Sequence, residues 1–271
     1  MLDDTRSLPR PGEFVEGLSK GLLILECFDA QHSDMTLTDV ARRVGLSPAA
    51  ARRSLLTLMA MGYVGQVGKR FHLRPKVMSL GSAFYSSARV DEVFQPELRR
   101  LVEKFGDASS VATLEGNDVI YIAHYSEQRA RRVTAVVGVR YPAHVTSLGR
   151  VLLAGQPEAD LERYLRDFVP SQLTRTTVVD KAEIGKLIER ARDERYATTV
   201  DQLDYGITAL SVPIRDASGR TIAALNTSAY SGATTADELV TNRLEELRYS
   251  AARIEQTLSR LPVIGSIIGS R

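Results

Sequence analysis

What the chain has little of narrows it first. It holds a single cysteine, Cys27, so no disulfide can form within it. That thiol lies among Leu22, Leu23, Ile24, Leu25 and Phe28, a setting that suits burial. No apolar run approaches the roughly 18 residues that a membrane-spanning helix needs. The opening residues, MLDDTRSLPRPGE, carry acids where a secretion signal needs bases. The chain is therefore expected in the cytoplasm, with no membrane partner. A glycine-rich phosphate loop and zinc-type Cys/His spacing are missing. The four histidines, His32, His72, His124 and His144, are scattered. No catalytic residue, no metal and no cofactor are expected.

The most informative shortage is of acid. Between Val40 and Val90 there is no Asp or Glu, while the same window holds nine Lys or Arg. The whole chain is nearly balanced, with 35 basic and 33 acidic residues. The basicity is local, as a phosphate-binding face requires. Leu37, Val40, Ala41 and Val44 recur at helical steps, with Thr36 placed to cap them. Gly45 ends that helix, and Ser47-Pro48 starts a second as N-cap and first-turn proline. The second helix buries Leu55, Leu58 and Met59 and stops at Gly62. Two β-prone runs follow, Tyr63–Val67 and Arg70–Leu73, joined at Gly68-Lys69 as a basic-tipped hairpin. Helix, turn, helix and hairpin make a winged helix-turn-helix, whose second helix leads into the major groove of double-stranded DNA. Its reading residues are Ser47, Ala49, Ala50, Arg52, Arg53, Ser54 and Thr57, with Lys69 and Arg70 on the wing. The plain alternative is a helical hairpin with a solvated basic face.

At 271 residues the chain has room for two domains. Residues 1–16 read as a flexible arm and 17–75 as the DNA-binding domain, with an apolar helix over 17–29 as its support. A linker helix is expected over 76–90, its small apolar face packing on a twin in a dimer or docking on its own domain. From Asp91 the composition becomes balanced. A helix at Pro96–Phe105 precedes strands at Ser109–Leu114, Val119–Tyr125 and Arg132–Val137. Helices at about Pro157–Asp167 and Asp180–Glu194 follow, then strands at Tyr196–Val200, Thr208–Ile214 and Thr221–Ala229. A long helix, Thr235–Leu258, closes a domain spanning 91–259, and 260–271 is left as a tail. The class is α+β, with a curved antiparallel sheet and helices packed on it, a GAF-like sensor plan.

Three stretches of this domain could converge on a small molecule. Thr146 or Ser147 caps a helix whose free N–H groups favour an anion such as a carboxylate, with Leu148 beside them. Gly149 there admits a ligand or another backbone. Thr199-Val200-Asp201-Gln202 and Gly206-Ile207-Thr208-Ala209 form a strand, a polar loop and the next strand. Asn226 and Ser228 share a face of the last strand. Each has a duller alternative: a mere cap, ordinary loop residues, a solvated sheet edge. Arg129, Arg131 and Arg132 add charge near such a site or form a solvated loop.

The order of these parts, with ASSVATLEGNDVIYIAHY, YPAHVTSLGRVLLA and RYATTVDQLDYGITALSVPI, resembles the IclR family of bacterial transcription regulators from about Gly17 to Leu258. FVEGLSKGLLILECF, YPAHVTSLGRVLLA and ALNTSAYSG are most similar to the subgroup controlling aromatic-acid catabolism, typified by the protocatechuate and 4-hydroxybenzoate regulators. The resemblance implies a homodimer or homotetramer on a palindromic operator, responding to a small organic acid effector. It places the effector at Ser147, Leu148, Gly149, Thr199, Asp201, Gln202, Ile207, Ala209, Asn226 and Ser228. Two departures stand out. Ala49-Ala50-Ala51 replaces bulkier polar residues of the recognition helix, and Asp201-Gln202 replaces the usual acidic pair. The competing reading is an enzyme acting on a small organic acid in residues 91–259, using His124 or His144, with an accessory DNA-binding head. An architectural DNA-binding protein without a ligand is a third.

Overall fold

The computed structural model describes residues 13–29, 31–127 and 136–269. The chain divides into two compact units, Met1–Phe84 and Tyr85–Arg271. Of the arm expected over 1–16, residues 1–12 lie outside the described part.

In the first unit, α1 (Glu16–Glu26) buries Ile24 and Leu25. After β1 (Asp34–Thr36), α2 (Leu37–Arg43) starts on a reciprocal cap. Thr36 Oγ1 accepts from the Asp39 N–H at 3.3 Å, and the Asp39 carboxylate accepts from the Thr36 N–H at 3.3 Å. Gly45 turns the chain at φ +67°, a conformation that costs glycine little. Ser47 then caps α3 (Pro48–Ala60) by accepting from the Ala50 N–H at 3.3 Å, with Pro48 in the first turn. The wing is β2 (Val64–Val67) against β3 (Arg70–Leu73). β1 adds to β3, giving the order β1-β3-β2. The sequence reading had no β1, because three residues show no alternation to count. Ile24, Met35, Val40, Leu55, Leu58, Val64 and Phe71 form one core. Met59, expected inside, is half-buried beside it.

The linker helix is shorter than expected. A single tight turn at Pro75–Val77 leads into α4 (Met78–Ser87), none of whose residues is buried. It does not reach Val90, because Arg89 adopts φ +49°, a left-handed conformation that no right-handed helix continues through. The short α5 (Val90–Val93) and then α6 (Gln95–Phe105) follow.

The second unit is built on a six-stranded sheet in the order β6-β5-β4-β9-β8-β7. β4 (Ala108–Glu115) and β5 (Asp118–Ser126) form a hairpin turned at Gly116-Asn117. For the strand expected at Arg132–Val137, residues 132–135 lie outside the described part, and Val136 and Val137 belong to no strand. The edge is instead β6 (Arg140–Pro142). Next come α7 (Ser147–Ala154), α8 (Glu158–Asp167), α9 (Lys181–Glu194), β7 (Ala197–Val200), β8 (Ile207–Arg215) and β9 (Thr221–Tyr230). The long α10 (Ala236–Ser259) follows, and the supposed tail is a helix, α11 (Pro262–Gly269), which buries Ile264 and Ile268 four residues apart. A pair at that spacing is one apolar stripe, enough to seat two turns on a surface.

Register decides which residues look where. Asn226 pairs with Ser110 on one side and Ser211 on the other, and Ser228 pairs with Ala209. Paired residues share a face, so these side chains look toward α7. α6 and α10 pack on the sheet as well, and Arg243 of α10 donates to Thr227, whose side chain alternation sends the other way. α6 and α10 are locked by buried Glu97, which accepts from Arg253 Nε at 2.5 Å, Ser250 Oγ at 2.9 Å and Arg100 Nε at 3.1 Å. Among the described residues, no helix is long and apolar enough to cross a membrane.

Candidate functional site

The head presents one basic face. Arg52, Arg53 and Thr57 of α3 are exposed, as are Ser47 and Ala49 at its start, whereas Ala50 and Ser54 are half-buried against the core. The Ser47 and Thr57 hydroxyls already serve the backbone, as cap to Ala50 and as donor to the Arg53 carbonyl. The basic residues sort into two groups. Arg42 pairs with Asp39, Arg43 with Asp29, and Arg70 Nη2 with Asp34 Oδ1 at 2.9 Å. Among the described residues no carboxylate pairs with Arg52, Arg53, Lys69 or Arg74. The free charge therefore sits on α3 and the wing tip. Arg70, expected to bind phosphate, is instead held to β1, and it also donates to the Asp34 carbonyl at 2.9 Å.

The second site is a cavity at the start of α7. Six of the residues singled out in the sequence line it: Ser147, Thr199, Ile207, Ala209, Asn226 and Ser228. Ser110, Tyr121, Val145, Thr146 and Leu203 complete the wall. Of these only Thr146 was marked by the sequence, as a possible cap; Ser110 and Tyr121 arrive through strand pairing, which no local pattern displays. The wall combines polar and apolar side chains.

Its polar groups form a chain across the sheet. Ser147 Oγ and Ser211 Oγ are 2.7 Å apart, and Asn226 Oδ1 accepts from the Ser110 N–H at 2.8 Å. Ser110 Oγ lies 3.0 Å from His124 Nδ1, and His124 Nε2 lies 3.2 Å from Ser126 Oγ. Burial lowers the His124 pKa, so the ring is neutral and bridges two hydroxyls. The Asn226 NH2 has no acceptor among the described residues, and neither do the N–H groups of Ser147 and Leu148. Tyr121 is deeply buried, and desolvation raises its phenol pKa, so it is a neutral donor. These open donors suit a ligand rich in oxygen.

Four of the residues expected to meet a ligand do other work. Leu148 is fully buried in the core beneath the sheet. A Cβ on Gly149 would stand 2.1 Å from the Ala143 carbonyl oxygen, so it is a neighbouring backbone that this glycine admits. The Gly149 N–H is taken by Thr146 Oγ1 at 2.9 Å, which makes Thr146 the cap. Asp201, at φ +53°, accepts from Gly206 N–H at 2.8 Å, Ile207 N–H at 3.2 Å and Ser231 Oγ at 2.8 Å, closing its own loop. Gln202 accepts from Val178 N–H at 2.9 Å and donates to the Thr176 carbonyl at 2.6 Å. The last two hold the loop that roofs the cavity. Arg129, Arg131 and Arg132 lie outside the described residues.

Arg150 closes the candidate stretch that begins at Thr146, with no role of its own legible there. It is 5% exposed, and burial pushes its pKa down to about 10. Its guanidinium donates to the carbonyls of His144 at 3.2 Å and Thr198 at 3.1 Å and to Gln202 Oε1 at 3.3 Å. His144 itself engages the Ser171 backbone, apart from His124. Ser110 and Ser126 are the hydroxyls beside His124, and among the described residues no cluster of side chains could hold a metal ion.

Comparison with known proteins covers both units. The family model described as IclR helix-turn-helix domain matches residues 17–68, and that described as bacterial transcriptional regulator IclR C-terminal matches residues 82–256. The Pca regulon regulatory protein of Pseudomonas putida is 35% identical over 228 residues, covering 84% of this chain and 78% of that protein. The p-hydroxybenzoate hydroxylase transcriptional activator of Acinetobacter baylyi is 31% identical over 247 residues, covering 89% of this chain and 91% of that protein. A crystal structure of an IclR homolog complexed with 4-hydroxybenzoate, from Microbacterium hydrocarbonoxydans, superimposes with a TM-score of 0.71 at 26% identity, covering 90% of this chain and 99% of that one.

Proposed function

The chain belongs to the IclR family of bacterial transcriptional regulators, and on that premise we propose that it senses a small aromatic acid in the α7 cavity and controls genes of aromatic-acid catabolism. The family and these relatives are regulators, not enzymes. The carrying observation is the cavity wall. Open amide donors at the start of α7, with Ser147 and Asn226, suit a carboxylate. Val145, Leu203, Ile207 and Ala209 suit a ring. Relatives named for Pca and p-hydroxybenzoate regulation, and a homolog crystallised with 4-hydroxybenzoate, support that class of ligand.

On the DNA side, Arg52, Arg53 and Thr57 read bases while Ser47, Ala49, Ala50 and Ser54 set the helix against the groove. Lys69, with Arg74, holds phosphate. The head is taken as 17–75 and the sensor as 91–259. The working molecule is a homodimer or homotetramer in the cytoplasm, because a palindromic operator needs two heads. Thermal denaturation against 4-hydroxybenzoate, protocatechuate and related acids tests the sensor. A ligand of the folded state raises the Tm by mass action, by about 2.7 kcal/mol of stability at a hundredfold excess over Kd. If no acid of the panel shifts the Tm or alters operator retention in gel shifts, the reading fails.

A further inference from the structure

Among the described residues of the second unit, buried charges are paired with their opposites, with one exception. Glu97 meets Arg100 and Arg253, and Arg243 meets Asp107 at 2.7 Å. Arg150 is buried as deeply, yet everything its guanidinium touches is neutral: two backbone carbonyls and the Gln202 amide. Carbonyl dipoles satisfy its N–H groups but leave its net charge uncancelled. The charge also sits in the opening turn of α7, where the helix dipole is already positive and a cation is disfavoured. Both penalties disappear if an anion binds at that helix start.

The geometry puts Arg150 in position to make use of one. It follows Ser147 by three residues, on the same side of the helix and about 4.5 Å further along its axis. Its hydrogen bonds end on Thr198 and Gln202, which flank the cavity residues Thr199 and Leu203. The charge thus stands behind two walls of the cavity without entering it. Resting on the reading of that cavity as an acid site, we propose that Arg150 is the positioning residue that makes the site selective for anions, its uncompensated charge being neutralised by the effector carboxylate. The same fork ties the cavity roof to the His144 turn, so ligand charge and roof are felt by one side chain.

A purely structural role would hold the roof for any ligand of the right shape, and the test separates the two. Full-length wild type, Arg150→Gln and Arg150→Lys are titrated by calorimetry with 4-hydroxybenzoate and with its neutral isostere 4-hydroxybenzamide. The expected result is a wild-type preference for the acid that shrinks about tenfold or more in Arg150→Gln, with amide affinity changed less than twofold. Arg150→Lys, which keeps the charge but not the fork, retains the preference and shows that the effect does not depend on folding around a guanidinium. Equal losses of acid and amide in Arg150→Gln, or an unchanged acid affinity, overturn the proposal. Wild type that binds neither compound while another aromatic acid binds moves the comparison to that acid and its amide. Wild type that binds no acid defeats the acid-site reading itself, and this assignment with it.

Discussion

At the scale of single residues, His124 and His144 give the molecule a signature in pH. Burial lowers both pKa values from the ordinary 6.5. In the unfolded chain both rings take up protons near that value, whereas in the folded protein they resist until the pH is lower. Between the two the unfolded state binds more protons, so stability rises with pH there and is complete only above about 6.5. The ligand-free protein is expected to lose Tm steadily from pH 7 to 5.5. That window lies above the range of Glu97, whose burial pushes its pKa up but whose partners Arg253, Arg100 and Ser250 bring it below the ordinary carboxylate value. His124→Gln should flatten the slope in differential scanning calorimetry, and an unchanged slope would exclude the ring as its source. Residue types alone could not sort these side chains. Asp201 and Gln202 look like ligand groups in a polar loop, and only the donors converging on them reveal a lock. Arg150 reads as one more helix arginine, since nothing in TSLGRVLLA says that the fourth helical residue is sealed from water.

At the scale of elements, the winged head carries a division of labour among its cations. Among the described residues, Arg52 and Arg53 on α3 and Lys69 at the wing tip have no carboxylate partner, but Arg70 is tied to Asp34. Arg52→Ala or Arg53→Ala should cost specific operator binding about 1–3 kcal/mol and relax base preference. Lys69→Ala should weaken all sequences alike and make the salt dependence shallower by about one unit of slope. Arg70→Ala should change either quantity far less, because its charge is already half spent on β1. Filter-binding titrations over a salt series distinguish these, and a loss for Arg70 equal to that for Lys69 would refute the division. Most of this head was legible from sequence because its signals are local: Thr36 ahead of the apolar steps from Leu37, Ser47 with Pro48, and glycines at 45 and 62. The sensor was legible as a list of elements but not as a surface. Ser110 reaches Asn226 across 116 residues of chain, and such a pairing follows from register alone. Two ends also misled: Arg89 cuts the linker helix early, and VIGSIIG hides a helix in a segment that looked like a tail.

For the whole molecule, the unsatisfied apolar surface concerns helices rather than the cavity. Phe14 and Val15 just before α1, Leu18 and Leu22 along it, and Met78 and Leu80 along α4 are exposed. A helix that buries nothing of its own, such as α4, gains little from folding unless another surface covers it. Under the proposed binding to an operator with two half-sites, a second copy is the occupant. Leu22→Asp combined with Leu80→Asp is expected to halve the mass seen in sedimentation equilibrium and to abolish binding to a two-half-site operator, while leaving the effector-induced Tm shift intact. Unchanged mass would reject these faces as the interface.

Where the sheet lines the cavity, several of its side chains are among the smallest: Ser110, Ala209 and Ser228. Such a floor can be raised but hardly lowered. Each added methyl there takes room from whatever the chamber admits while leaving the backbone pairing untouched, so the range of guests can narrow by point mutation without the architecture having to be rebuilt.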